Sequence, residues 1–441
     1  MIRPPQRFVR QVYEVRNNGG MTSNVPSPAG SRVVLRGRVV TPSEIIEDGV
    51  VVVDGPEIAW VGPADGVADA GFGPAPAASA AAPDVSAPVV TLLPGLVDLH
   101  NHGGGGASFP DSATADGARV AVREHLRHGT TSLVASLVTA SRPVLLQRVA
   151  ILADLADAGE IAGIHLEGPF LSAVRCGAQN PADMLTGDAT LVREIAAAAR
   201  GHLRTMTVAP EVPGVVGASG VAETLVEVGA LPSVGHTDAS SEETDAAITG
   251  ANRALAQHGA RGRRITATHL FNGMRPLHHR APGPIASCLA AAARGEIVVE
   301  LIADGTHLAA GTVRSVFELV GSDAIALVTD AMAAAGMADG TYQLGPMAVT
   351  VADGVARLDD GTGEGSIAGG TYHLLDVVRE TVAAGIPLVD AVRAASLTPA
   401  GVLGRTDVGA LEAGRRADVV VTDGDLRVRR VLRAGQDVLD H

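Results

Sequence analysis

Lysine does not occur in this chain; all 34 of its basic residues are arginine. That absence excludes the phosphate-binding loop ending in Gly-Lys-Ser/Thr and any chemistry built on a lysine Schiff base. It also removes the carboxylated lysine that bridges two ions in some metal-dependent barrels. Cysteine is scarce. Cys176 and Cys288 are too few for a disulfide framework, which suits a reducing cytoplasm. No apolar run reaches the length of a membrane span, and the opening MIRPPQRFVRQVYEVRNNGGM lacks the apolar core of a signal peptide. Aromatic residues make up only 2% of the 441 residues, against 46% hydrophobic. The core must therefore be built from Val, Leu, Ile and Ala, a supply suited to a buried parallel sheet wrapped by Ala-rich helices. Cations are outnumbered, giving a net charge of −14. This argues against nucleic acid or an acidic membrane as partner, and leaves room for a small anion that feels local charge.

What is present falls into two rhythms. Residues 32–62 alternate short Val/Ile-rich runs with Gly, Pro and Asp turns, and the C-terminal stretch GALEAGRRADVVVTDGDLRVRRVLRAGQDVL does the same. Both read as short antiparallel strands, so the two ends are expected to form one β unit. An Ala/Pro/Gly-rich loop lies near 67–88. Between the ends, apolar strand-like runs recur roughly every 30 residues, as repeated βα units would give. They are LVDL (96–99), TSLVASL (131–137), IAGIHL (161–166), LRTMTVA (203–209), ALPSVG (230–235), RITATHL (264–270), IVVELIA (297–303) and AIALVTD (324–330). Eight strands with Ala-rich helices between them is the count of a (β/α)8 TIM-type barrel. An open doubly wound sheet is the competing architecture, but no Gly-x-Gly-x-x-Gly turn follows the first strand.

In such a barrel, chemistry gathers at the C-terminal ends of the strands. Here those ends carry His100 and His102, Glu167, Glu211, His236, His269 with Asn272, Asp304 with His307, and Asp330. Each alone has an ordinary reading: a solvated loop histidine, a hydrogen-bonded strand cap, or a helix N-cap in the case of Asp330. His278 and His279 read as a polar loop. Jointly, four imidazoles and two carboxylates on one rim suit a divalent metal of the zinc type. His100 and His102 share a face because strand faces alternate with period two. Glu167 is placed to bridge two ions, the role that the missing lysine cannot fill.

The segments PGLVDLHNHGGGG, HLEGPF, VAPE, GHTDAS, ATHLFNGMRPL, APG, IADGTH, LVTDAM and SIAGG, in this order from about residue 32 to the C-terminus, resemble the amidohydrolase superfamily and, within it, the N-acetylglucosamine-6-phosphate deacetylase group. The resemblance implies a barrel plus a small β-sandwich domain built from both termini, in a cytoplasmic homodimer. The expected division is a disordered extension over 1–30, sandwich over 31–90, catalytic barrel over 91–403 and sandwich again over 404–441. It implies hydrolysis of the acetamide of N-acetylglucosamine 6-phosphate to glucosamine 6-phosphate and acetate, in amino-sugar catabolism or cell-wall recycling. N-Acetylgalactosamine 6-phosphate, another amide or cyclic amide, and a non-catalytic binding barrel are the alternatives.

Carried over by position, His100, His102, Glu167, His236, His269 and Asp330 match metal ligands for one or two Zn2+ ions per subunit, and Asp330 matches the catalytic aspartate. Asn272 and Gly273 match sugar- or phosphate-contacting positions, Arg280 and His307 match phosphate-binding ones, and Met332 matches a residue near the acetyl side. One position departs. The loop after EGPF usually brings a histidine to the substrate carbonyl, and this chain reads RCGAQNP, with Gln179 there. Glutamine donates a hydrogen bond but carries no titrating charge.

Overall fold

The computed structural model describes residues 32–76, 90–258, 263–359 and 365–438; the extension expected over 1–30 lies outside them. Near the N-terminus, β1 (Val33–Val40), β2 (Ile45–Asp54) and β3 (Glu57–Pro63) form an antiparallel meander. The chain continues through β4 (Thr91–Pro94), β5 (Leu96–Asn101) and the two-residue strands β6 (Gly103–Gly104) and β7 (Ala107–Ser108). From there strands and helices alternate: α1 (Ala115–Arg127), β8 (Thr130–Leu137), α2 (Arg142–Asp157), β9 (Gly163–Glu167), α3 (Ala189–Ala198), β10 (Leu203–Val208), α4 (Val221–Glu227) and β11 (Leu231–Val234). The alternation runs on through α5 (Ser241–Gln257), β12 (Ile265–Ala267), α6 (Gly283–Ala293), β13 (Ile297–Leu301), α7 (Ala310–Val320) and β14 (Ile325–Leu327). A small meander of β15 (Gly340–Leu344), β16 (Met347–Ala352) and β17 (Val355–Leu358) precedes α8 (Leu374–Ala383), α9 (Leu388–Ala394) and α10 (Leu397–Val402). The last strands are β18 (Val419–Thr422), β19 (Val428–Arg433) and β20 (Gln436–Asp437).

β5 and β8 to β14 form one eight-stranded sheet in sequence order, each neighbouring pair parallel. Every apolar run read from the sequence supplies one of these strands. The two edges meet just beyond β14: Asn101 bridges Ala331 in parallel, and the Asp330 N–H donates to His100 O at 2.9 Å. Lower on the same seam, Thr329 Oγ1 donates to Asp98 at 2.6 Å. These contacts between the two edge strands nearly close the sheet into a barrel. Helices begin where the sequence supplies caps. Asp188 caps α3, and Ser240 with Glu243 makes a reciprocal capping box on α5.

The second sheet has the order β20-β19-β18-β4-β1-β2-β3. β4 lies at its middle, parallel to β1 and antiparallel to β18, so the C-terminal strands extend the sheet begun by the N-terminal ones. The expected barrel range of 91–403 would include β4, yet β4 pairs wholly with this terminal sheet. The crossing to the barrel is made at Gly95, where a Cβ would sit 2.1 Å from Thr131 Oγ1. The β15–β17 meander has no place in the eightfold count. Its apolar side, Leu344, Val349, Val351 and Ala356, packs on Val138 and Met332 beside the barrel mouth.

α1 turns His125 fully inward, with Nε2 2.8 Å from the Gly103 carbonyl oxygen. Burial, reinforced by nearby His373, pushes its pKa down to about 3. A depressed histidine is neutral in the fold but binds a proton in the unfolded chain below its ordinary value near 6.5. Its contribution to stability is therefore present above pH 6.5 and drains away as pH falls toward 3. Urea unfolding should show about 2 kcal/mol lost to this group between pH 6 and 4.5, a loss that His125→Gln abolishes. An unchanged slope in that variant would exclude His125 as the source.

Candidate metal centre

Each proposed ligand sits where a strand gives out. His100 is the next-to-last residue of β5 and His102 follows its end; Glu167 is the last residue of β9. His236, His269 and Asp330 come shortly after β11, β12 and β14. These last three hold left-handed backbone, with φ of 44°, 26° and 47°. Side chains other than glycine seldom adopt this region, at about 1–3 kcal/mol each, and it persists where the surrounding fold leaves no alternative. The turn at each strand end aims the side chain across the barrel mouth instead of along the strand.

The six side chains converge. Glu167 Oε1 lies 2.8 Å from both His236 Nε2 and His269 Nε2. Its other oxygen lies 3.2 Å from His102 Nε2 and 3.9 Å from His100 Nε2. Asp330 Oδ1 completes that side, 3.2 Å from His102 Nε2 and 3.5 Å from His100 Nε2. The two imidazoles face one another, Nε2 to Nε2, at 2.9 Å. All six residues are at least nine-tenths buried.

Burial alone would raise the Glu167 carboxyl, but His236, His102 and His269 hold it well below the usual range. Asp330 is likewise raised by burial yet held down to about 2 by His100 and His102. Burial disfavours charge on the imidazoles too, and the carboxylates override it, bringing His102 to about 10 and His269 to about 9. The pocket is thus built to hold positive charge among fixed anions.

The donor set identifies which cation fits. His236 Nδ1 donates to the Arg175 carbonyl oxygen at 2.8 Å, and His100 Nδ1 faces Glu300 Oε2 at 3.4 Å. These contacts engage the outer nitrogens of His236 and His100, and all four rings turn Nε2 toward carboxylate oxygens. Imidazole nitrogens and carboxylate oxygens gathered in one dry site are the donor atoms a shared cation takes. The ligand atoms of His100, His102 and Glu167 lie within 4.8 Å of one another, and so do those of Glu167, His236 and His269. These residues fit a divalent metal, with Glu167 common to both groups.

A cavity of about 410 Å³ opens over the cluster and is lined by Gln179, Asn272, Gly273 and His307 among others. His307 Nδ1 is 2.7 Å from Asp304 Oδ2, leaving Nε2 for a ligand. Asn272 Nδ2 donates to the His269 carbonyl oxygen at 3.2 Å. Two expected residues are not brought here. Met332 is fully buried, packed with Val138 and Leu344, because an apolar side chain beside Ala-rich sequence finds core partners first. Arg280 is exposed on the turn closed by the His278–Ala281 bridge and does not line the cavity.

Sequence reading passed over Glu300, Asp98 and the Arg175–Asp238–Arg275 network. The two guanidinium groups share the Asp238 carboxylate at 2.8 and 2.7 Å beside the cavity mouth. Glu211 holds the adjoining turn, accepting from Thr237 Oγ1 and from Asp238 N, both at 2.6 Å. Glu300 and Asp98 had a legible signal: each is a lone carboxylate within an apolar strand, which burial penalises unless a partner waits.

His236 is pressed by Gly273, where a Cβ would lie 2.8 Å from its Nδ1. Gly273 also has φ 59°. Gly273→Ala should displace the ring, break its bond to Arg175 and cut turnover about 100-fold while the melting temperature moves by only a few degrees. Parent-level turnover in a metal-loaded variant would show that the ring has room to spare.

The amidohydrolase family model matches residues 91–438. N-acetylglucosamine-6-phosphate deacetylase of Lysinibacillus sphaericus is 34% identical over 350 residues, covering 78% of this chain and 84% of the relative. N-acetylgalactosamine-6-phosphate deacetylase of Escherichia coli O157:H7 is 32% identical over 351 residues, covering 78% and 87%. Among solved structures, a mutant N-acetyl-D-glucosamine-6-phosphate deacetylase of Mycobacterium smegmatis in complex with N-acetyl-D-glucosamine-6-phosphate superposes with a TM-score of 0.79 at 39% identity. That match covers 93% of this chain and all of the other. No helix among the described residues is long and apolar enough to cross a membrane.

Proposed function

This chain belongs to the amidohydrolase family, and from that premise we propose that it hydrolyses the acetamide of N-acetylglucosamine 6-phosphate to glucosamine 6-phosphate and acetate, in amino-sugar catabolism or cell-wall recycling. The observation that carries the reading is the sharing of Glu167 between two histidine pairs, with Asp330 beside one of them, beneath a cavity large enough for a phosphorylated sugar. His100, His102, Glu167 and Asp330 would hold one zinc ion, and Glu167, His236 and His269 a second. A divalent metal bound there supplies Lewis acidity toward water and the acetyl carbonyl.

The chain's own residues then manage the protons and the fit. Asp330, ionised, accepts a proton as water attacks the acetyl carbon, and returns it to the nitrogen as the C–N bond breaks. Gln179 lines the cavity beside the ligand cluster, where an amide N–H not used elsewhere would donate to the acetyl carbonyl oxygen. His307 and Asn272 receive the sugar phosphate. Arg280, exposed and outside the cavity, is assigned to the phosphate of a second copy in a cytoplasmic homodimer; its planar fork grips phosphate oxygens. Arg280→Ala should raise KM roughly 10-fold or more with kcat little changed, the loss of one charge-assisted hydrogen bond; a pure kcat defect would refute the assignment.

The E. coli O157:H7 relative favours one second reading, N-acetylgalactosamine 6-phosphate. Acetate release from both phosphorylated sugars and from N-acetylglucosamine itself tests the two together. Turnover should need the phosphate and favour the glucosamine isomer. No acetate from either ester after loading with zinc, manganese or cobalt would remove the reading.

A further inference from the structure

Gln179 is 3% exposed and both ends of its amide are engaged. The Thr139 backbone N–H donates to Oε1 at 2.7 Å. Because a peptide N–H can only donate, the oxygen end of the amide must face it, and the nitrogen end must face Glu167. There Nε2 donates to Glu167 Oε2 at 2.5 Å. Thr139 closes the loop, its Oγ1 donating to the Glu167 backbone oxygen at 3.0 Å. The end of β8 and the end of β9 are thereby stitched together through one carboxamide.

The bond falls on one oxygen only. Glu167 Oε1 serves His236 and His269, whereas Oε2 is the oxygen turned toward His102 and His100 and the one that Gln179 holds. A carboxylate free to rotate could place both oxygens on the His236/His269 side and desert the other pair. We propose that Gln179 is a positioning residue which keeps Glu167 divided between the two histidine pairs, and so sets the affinity of the His100/His102 side for its metal ion. This rests on the ligand assignment made above, not on the identity of the substrate.

The test is titration of the metal-free full-length chain with cobalt(II), followed by its visible absorption, with metal content measured by mass spectrometry. The parent should take up two ions in distinguishable steps. Gln179→Leu, which keeps bulk and removes both hydrogen bonds, should weaken the second step about 10–100-fold, the usual effect of losing a group that orients a ligand, and leave the first within a few-fold. Gln179→His should restore much of the second step, since a ring can accept from Thr139 and donate to Glu167; a merely structural role would give no such rescue. Circular dichroism of the metal-free variants establishes that they fold, and Gln179→Glu, which puts a second anion beside Glu167, serves should Gln179→Leu fail to fold: it should lose the parent's second-step spectrum. Two parent-like steps in Gln179→Leu would overturn the proposal, as would a parent that binds a single ion. Two steps in a parent that releases no acetate would sink the substrate reading and leave this one standing.

Discussion

Asp330→Asn leaves a protein that folds and retains metal but releases acetate from N-acetylglucosamine 6-phosphate about 1,000-fold more slowly. The estimate follows from what the exchange removes. Asparagine keeps the size of the side chain and one oxygen for the ligand cluster, but it cannot accept and return a proton. General acid–base catalysis is worth roughly 10²- to 10⁴-fold. Asp330 is asked to act in both directions, on water and then on a poor amine leaving group, so the middle to upper part of that range applies. His100 and His102 hold its carboxyl at about 2, so near neutral pH it waits ionised, ready for the first transfer. The left-handed turn at φ 47° tolerates asparagine better than most residues, which keeps the comparison fair. Steady-state kinetics alongside metal analysis decides the matter: a metal-replete variant within tenfold of the parent would mean that another group moves the proton.

Glu167→Gln should have the larger effect, through assembly of the site. Glu167 is the one residue common to both ligand groups. A neutral amide presents an N–H toward at least one histidine pair and removes the negative charge that offsets the cations. The variant is expected to lose both ions on dialysis, and activity with them, by more than about 10³-fold. It should also lose the stabilisation that bound metal gives the native state, which at a free concentration a hundred times the dissociation constant is about 2.7 kcal/mol. The parent's melting temperature should therefore fall on adding a chelator, and that of Glu167→Gln should not move. A full complement of two ions in the variant would show that the pairs bind independently of the shared carboxylate.

The barrel was legible because its signal is carried by burial. Eight apolar runs, each short and bounded by turns, can hardly be anything but strands buried on both faces, even where β12 and β14 shrink to three residues each. The joining of the chain's two ends was legible for the same reason, as Val-rich runs needing partners. The β15–β17 meander escaped because its alternation is diluted by exposed Thr, Gln and Asp and it belongs to no repeat. At the site, histidines and acids at strand ends declared themselves by position. Their helpers declared less: Glu300 stands out as a lone carboxylate in an apolar strand, but its partner does not. The approach of Glu300 to His100 spans 200 residues, and nothing local in the sequence states it. Gln179 was placed by its loop but not by its bonds, since an amide's partners depend on a backbone N–H from a different strand. Met332 packs behind the cavity-lining Leu344 without lining the cavity itself, a direction of the side chain that its sequence neighbours do not give.

The seam between β5 and β14 has a consequence for how the protein is born. His100 and His102 stand on one lip of it and Asp330 on the other, and the amide of Asp330 itself fastens the lips together. A ribosome that has released only the first seven barrel strands, β5 and β8 to β13, has made five of the six cation-binding groups but not Asp330 or the closure beside it. The group that includes Asp330 is therefore complete only once β14 has met β5, whereas Glu167, His236 and His269 come together without that seam.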